Sequence, residues 1–249
     1  MNKLIRTELL KQRTLRTFIV SVGATPVVVA VLAVAGLAAA GHQDNEPLSS
    51  ASLHQLIAAP ASIIAAIALL LGVIGITGEY RHETITNTFL AHPRRSDVVL
   101  SKLAAHAVTG TLMGVASLTV TFAIGLPWLT ASGIDINVNR ETARIALGVI
   151  GSTALYGALG VSIGALIRNQ TAAFAAVLTW LLAVEDLIGN VFHDSAFLRW
   201  LPVAAGRAMV RTDAVGDQLP VPLAVAAFTT YVALLGLFAT RMTLQRDVT

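Results

Sequence analysis

The sequence predicts an all-α membrane protein whose single domain, residues 1–249, crosses the bilayer six times. Apolar residues make up 55% of the chain, charged residues only 12%, and the mean hydropathy is +0.73. Six stretches are long and apolar enough to cross a hydrocarbon core of about 30 Å as α-helices. This composition excludes an ordinary soluble domain, and the absence of cysteine excludes a disulfide framework.

The six predicted spans are residues 18–40, 56–78, 104–129, 143–166, 171–191 and 221–240. A basic segment and the sequence LAAAG flank the first span, as they would flank a cleaved signal peptide. Its apolar stretch of 23 residues exceeds a signal core of roughly 7 to 15, so we expect this span to be retained. In the fourth span, Gly160 and Gly164 have the GxxxG spacing, which indicates close packing of helix backbones.

Basic residues are divided unequally between the two sides of this topology. Twelve of the 17 Lys and Arg lie in the N-terminal segment, in the loops after the second and fourth spans, and in the C-terminal tail. Because Lys and Arg accumulate in cytoplasmic loops, we expect a multi-pass plasma-membrane protein with both termini and residues 78–103 in the cytoplasm. The net charge of +3 is then explained by these loops and their contact with lipid, and we expect no nucleic acid partner.

Residues 1–17 precede the first span and predict a cytoplasmic helix that lies along the inner leaflet. The apolar residues of this helix share one arc, flanked by basic residues: Leu4, Ile5, Leu9 and Leu15. A basic tail that only orients the chain is the alternative, and the pattern does not decide between the two.

The loop after the second span, GEYRHETITNTFLAHPRRSDVVLSKL (residues 78–103), contains seven of the 31 charged residues. A short helix is predicted over residues 84–91, and Pro93 ends it. Its apolar side chains, Ile85, Phe89 and Leu90, favour an amphipathic docking element at the cytoplasmic surface. A solvated turn is the alternative that composition leaves open.

We expect no catalytic or metal site in this chain. His82 and Glu83 begin an HExxH pattern, but Thr86 takes the place of the second zinc ligand. None of the three Lys follows a Gly, as a phosphate-binding P-loop requires. The sequence therefore predicts no enzyme activity and no cofactor held by this chain.

Glu185 and Asp186 lie near the outer end of the fifth span. They would line an exit vestibule, form a structural polar link, or be an acidic pair at the headgroups. The last alternative is favoured because a charge near the headgroups costs much less than one at the membrane centre.

Residues 78–103 resemble the cytoplasmic segment after the second helix in type-2 ABC-exporter permeases, a bacterial family of multidrug and antibiotic transporters. The matching positions are Glu79, Thr84, Phe89, Leu90, Pro93, Arg94, Arg95 and Lys102. Residues 184–209 are similar to the fifth-helix acid and extracellular element of that family, and residues 6–19 to its amphipathic connecting helix. The sequence departs from the family pattern at Glu83, where the family often has Gly.

The resemblance implies a permease subunit of an ATP-driven exporter in the bacterial plasma membrane. A separate ABC ATPase would bind ATP and Mg, and a second permease copy, identical in a homodimer or merely related, would complete the pathway. The coupling helix seated on that ATPase would comprise Thr84, Ile85, Phe89, Leu90, Pro93, Arg94 and Arg95. Glu79 and Lys102 would form the coupling hinge, and the cargo would be a hydrophobic or amphipathic drug, antibiotic, peptide or lipid.

Two other functions fit six apolar helices. An immunity or sensor protein would bind a membrane-active compound without moving it. An ion-coupled transporter would usually have broken helices or buried charge near the membrane centre, and the sequence shows neither pattern.

Overall fold

A computed structural model describes residues 2–40, 49–85, 95–192, 195–212 and 218–245, which form helices and no strands. The α-helices are α1 (Asn2–Thr14), α2 (Arg16–Ala40), α3 (Ser50–Ala58), α4 (Ala61–Arg81), α5 (Arg95–Ala131), α6 (Arg140–Ile167), α7 (Gln170–Thr179), α8 (Glu185–Val191), α9 (Pro202–Met209) and α10 (Val221–Gln245). A π-helix (Trp180–Val184) joins α7 to α8, and a 3-10 helix (Leu198–Trp200) precedes α9.

Among the described residues, six helical stretches are long and apolar enough to cross a membrane, which confirms the predicted number. They are Arg16–Ala39, Ala51–Arg81, Ser96–Ala131, Arg140–Ile167, Gln170–Val191 and Val221–Met242. The third stretch differs most from its prediction, because α5 begins at Arg95 rather than at residue 104. Helical hydrogen bonding is not limited to the apolar part of a sequence, so Lys102 lies within a helix rather than in a loop.

Two of the predicted spans contain breaks. Residues 50–55, expected as part of an outer loop, belong to α3, which Pro60 separates from α4. Proline lacks an N–H and its ring clashes with the carbonyl four residues earlier, which explains this break. The fifth span, expected as one helix over 171–191, contains the π-helix at Trp180–Val184.

Glycines bring α4, α5 and α6 into backbone contact. A Cβ added to Gly160 would lie 2.0 Å from the Leu69 carbonyl oxygen, and one added to Gly72 would lie 2.2 Å from that of Gly157. The predicted packing role of the glycines in the fourth span is thereby confirmed. Around this contact lies the largest core, in which Phe228 of α10 packs on Tyr156 of α6 with ring centroids 4.7 Å apart.

Replacing Gly160 with Ala is expected to lower the free energy of unfolding by about 1–3 kcal/mol, since the added methyl group forces α4 and α6 apart. The matched control is Gly36→Ala in α2, where a Cβ would meet only Leu56 Cδ2 at 3.6 Å. Thermal unfolding of both variants in detergent measures the difference. Equal stability of the two would show that the glycine contact does not hold the fold together.

Candidate functional site

Lys102 is fully buried where α5 packs against α1 and α4. Its Nζ lies 2.6 Å from Glu79 Oε1, in the last turn of α4, and 2.8 Å from Glu8 Oε2, on α1. The two residues predicted as a hinge, Glu79 and Lys102, are thus in direct contact. Glu8, which belongs to no motif in the sequence, joins α1 to the same ammonium group.

Lys11 completes a cluster of two cations and two anions. Its Nζ lies 2.9 Å from Glu8 Oε1 and 3.2 Å from Glu79 Oε1. The side chain of Lys11 is 41% exposed, whereas that of Lys102 is 1% exposed. The cluster is electrically neutral as a whole, so its burial does not leave an uncompensated charge.

Ionisation of Glu8 depends on its lysine neighbours. Burial alone would raise the pKa of this carboxyl, but the charges and hydrogen bonds of Lys102 and Lys11 outweigh it and hold the pKa below its ordinary value. A carboxyl whose pKa is lower in the folded than in the unfolded state stabilises the fold at pH values above the ordinary pKa of glutamate. We therefore expect this contribution to be lost as the pH falls through the lower pKa of the folded state.

A neutral network continues the cluster toward the membrane. The His106 Nδ1 lies 2.9 Å from the Lys102 carbonyl oxygen, which can only accept, so Nδ1 donates to it. The Gln12 Nε2 lies 3.2 Å from His106 Nδ1 and 3.4 Å from His106 Nε2, and of these two ring nitrogens only Nε2 is then able to accept from the amide. The Gln12 Oε1 in turn accepts from the Thr109 hydroxyl. Gly75 leaves space for the imidazole, because a Cβ there would lie 2.1 Å from His106 Nε2.

The face of α1 that packs on the rest of the chain is polar. Glu8 and Gln12, one helical turn apart, are buried, while Leu10 and Leu15 remain about half exposed. Of the predicted apolar arc, Leu15 is exposed while Leu4, Ile5 and Leu9 are partly buried, and the contact of this arc with the inner leaflet stays a prediction. One signal in the sequence points to the polar contact: Glu8 is the single acidic residue among the first 40.

The predicted coupling helix lies mostly outside the described residues, which leave out Phe89, Leu90, Pro93 and Arg94. Arg95 begins α5, and Thr84 is exposed. Ile85 is only 3% exposed and packs against Val98 and Tyr80, so its side chain is not on an accessible docking surface as expected. Hydrophobic burial explains this difference, because Val98 on the next helix offers Ile85 an apolar partner within the chain.

Glu83 has the left-handed backbone conformation, with φ of 56°. It directly follows His82, the C-terminal cap of α4, and its N–H donates to the Tyr80 carbonyl. Helices commonly end on a left-handed residue at this position, usually glycine, because glycine has no Cβ to clash. Glu83, where the family often has Gly, thus has a backbone conformation that favours glycine.

Glu185 binds the N-terminus of α9. Its Oε1 accepts from the Val203 N–H at 2.7 Å and from the Trp180 Nε1–H at 2.8 Å, and its Oε2 accepts from the Ala204 N–H at 3.0 Å. These N–H groups have no partner within the helix, and a carboxylate also suits the positive end of the helix dipole. Asp186 is exposed. Of the three alternatives for this pair, the geometry of Glu185 is that of a structural polar link.

Replacing Lys102 with Met is expected to lower the free energy of unfolding by about 3–5 kcal/mol, because two carboxylates lose their buried cation. Lys11→Met, which removes the partly exposed cation, should cost less than about 1 kcal/mol. Adding Glu8→Gln and Glu79→Gln to Lys102→Met should restore most of the loss. Thermal unfolding in detergent compares the variants, and no recovery in the triple variant would contradict the pairing.

Glu185→Ala is expected to destabilise the protein by about 0.5–2 kcal/mol, as the loss of other helix caps does. Asp186→Ala is the matched control, since this neighbouring carboxylate is exposed. Limited proteolysis between α8 and α9, together with thermal unfolding, reports the difference. Identical behaviour of the two variants would argue against a structural role for Glu185.

Comparison with known proteins places this site within one family. A family model described as ABC-2 family transporter protein matches residues 3–194, a range that includes Glu8, Glu79, Lys102 and Glu185. No match was found among curated proteins. With six membrane-crossing helices and a match over most of its length, the chain belongs to the ABC-2 family of transporter proteins and is a multi-pass membrane permease subunit of an ABC transporter.

Proposed function

We propose that this permease is half of an ATP-driven exporter that moves a hydrophobic or amphipathic compound across the bacterial plasma membrane. A separate ABC ATPase binds ATP and Mg, and a second copy of the permease completes the pathway. The observation that carries the proposal is the buried cluster around Lys102, which joins α1 to α4 and α5, the two helices that precede and follow residues 84–95 in the sequence. Both termini and this segment face the cytoplasm, in agreement with the distribution of Lys and Arg.

Residues 84–95 dock on the ATPase, with Phe89 and Leu90 as the apolar contacts and Thr84, Pro93, Arg94 and Arg95 as further docking residues. Ile85 anchors the segment to the permease, because it is buried against Val98. When the ATPase displaces this segment, it moves α4, which contains Glu79, and α5, which contains Lys102. Rocking of two permease copies by such a displacement is a form of alternating access driven by a partner.

The ion pair that lengthens when the hinge moves is the one between Lys102 and Glu79, rather than the one between Lys102 and Glu8. Both oxygens of Glu8 accept from lysines, whereas Glu79 Oε2 is buried without a hydrogen-bond partner among the described residues. A carboxylate with an unsatisfied oxygen is the less stable member of the cluster. Lys102 therefore stays paired with Glu8 when its contact with Glu79 lengthens.

The cavities near the outer end support an apolar cargo. One of about 210 Å³ is lined by apolar and aromatic side chains, including Trp180 and Tyr231. A second of about 280 Å³ shares Tyr156, Leu181 and Val203 with it but is also lined by Ser62, Ser152 and Arg207, as an amphipathic compound would require. Pockets of this kind bind ligands mainly by excluding apolar surface from water.

The double variant Phe89→Asp/Leu90→Asp is expected to abolish co-purification with a co-expressed ABC ATPase, because two carboxylates would enter an apolar groove. Val138→Asp is the matched control, since Val138 is an exposed apolar residue in the loop at the other end of α5. The fraction of ATPase retained on the tagged permease is measured by quantitative gel, and substrate-stimulated ATP hydrolysis in vesicles by phosphate release.

Normal association and hydrolysis in the double variant would overturn the docking role. An intact complex whose ATP hydrolysis never responds to an apolar compound would instead favour a binding or immunity module. Transport that persists without ATP and stops when the proton gradient collapses would favour an ion-coupled transporter.

A further inference from the structure

A groove of about 480 Å³ lies between α1, the beginning of α2 and α5. Its polar end is formed by α1, where Arg13 lines it. Its apolar walls are formed by α2 and α5, through Ile19, Val22, Gly23, Val108 and Leu112. The groove is therefore polar at one end and apolar along the rest of its length.

This groove extends from the headgroup region, where the first span begins, into the hydrocarbon region. The span starts at Arg16, so Arg13 lies at the headgroups, and Gly23 lies roughly 10 Å deeper at 1.5 Å per residue. Ile19 and Leu112 are each more than half exposed. A Cβ added to Gly23 would meet nothing within 4 Å, so the groove is open at that depth.

The charge beside the groove is positive and uncompensated. Arg6, Leu9 and Arg13 follow one another at three- and four-residue spacing, which places them on one face of α1. Neither arginine forms an ion pair within the described ranges, and the nearby Glu8 is already bound by Lys11 and Lys102. A guanidinium in this position is free to bind a phosphodiester with two parallel hydrogen bonds.

We propose that this groove binds one anionic phospholipid from the leaflet on which α1 lies. The phosphodiester binds Arg13, and an acyl chain lies along Ile19, Val22 and Leu112. Gln12 also lines the groove and is hydrogen-bonded to His106, so the lipid contacts a residue that joins α1 to α5. This binding does not depend on ATP, on an ATPase or on the direction of transport.

Because the chain has no cysteine, a single Cys at Leu112 labels the groove uniquely with an environment-sensitive fluorophore. The labelled full-length permease is reconstituted in phosphatidylcholine vesicles that contain a small fraction of brominated phosphatidylglycerol or of brominated phosphatidylcholine. We expect stronger quenching by the anionic lipid at Leu112, but equal quenching by the two lipids for a probe at Leu234 on α10. Leu234 is the matched position because it is a similarly exposed leucine.

Arg13→Gln should reduce the preference for phosphatidylglycerol at Leu112 by about tenfold, since a charge-assisted contact is lost. Arg16→Gln removes the same charge from a residue that does not line the groove, and should leave the preference nearly unchanged. Gly23→Leu should fill the groove and weaken quenching by both lipids. Gel filtration verifies that each variant is folded.

Equal quenching by the two lipids at Leu112 in the otherwise native chain would overturn the proposal. So would an Arg16→Gln effect as large as that of Arg13→Gln, because the preference would then be general attraction to a basic helix. Unchanged quenching in Gly23→Leu would show that the acyl chain does not occupy the groove.

Discussion

The buried ammonium group of Lys102 is the constraint on which the inner half of the molecule depends. A charge without a partner in such a place costs several kcal/mol, so at least one carboxylate must reach it. The nearest acid along α5, Asp97, is not among its partners. The partners come from Glu79, 23 residues away, and Glu8, 94 residues away. Burial of Lys102 therefore requires α1 to fold back on α5 and the last turn of α4 to lie beside them.

The helices around the cluster are held by two different kinds of contact. Glycines place the backbones of α4, α5 and α6 so close together that neither sliding nor rotation is possible without a clash. In contrast, α1 is held mainly by side-chain hydrogen bonds from Glu8 and Gln12. Hydrogen bonds and ion pairs can exchange partners, whereas packed backbones cannot. The cluster thus lies at the boundary between a rigid group of helices and a helix that is able to shift.

The number of spans, the helical class and the glycine packing were predictable, because each depends on local composition or spacing. The break at Pro60 was not predictable from proline alone, because Pro26 and Pro127 lie inside α2 and α5 without ending them. The pairing of Glu8 with Lys102 was not predictable either, because charge alone does not tell which of many distant residues a lysine will meet. The burial of Ile85 was not predictable for a related reason: an apolar residue in a short helix has the same pattern whether it meets a partner protein or, as here, Val98 of its own chain.

Glu79 and Glu185 lie near opposite ends of the membrane helices, and the chemistry of their partners differs. Each oxygen of Glu185 accepts from the backbone of α9, so a movement there would leave helix N–H groups without partners and would cost their full desolvation. Among the described residues, the Glu79 carboxylate accepts from the ammonium groups of two lysines, both of which also bind Glu8. When Glu79 moves, each lysine keeps one carboxylate. The cluster of four charges can therefore lose its contacts with Glu79 while each buried or partly buried cation keeps a partner. A single buried ion pair cannot separate without leaving its cation unpaired.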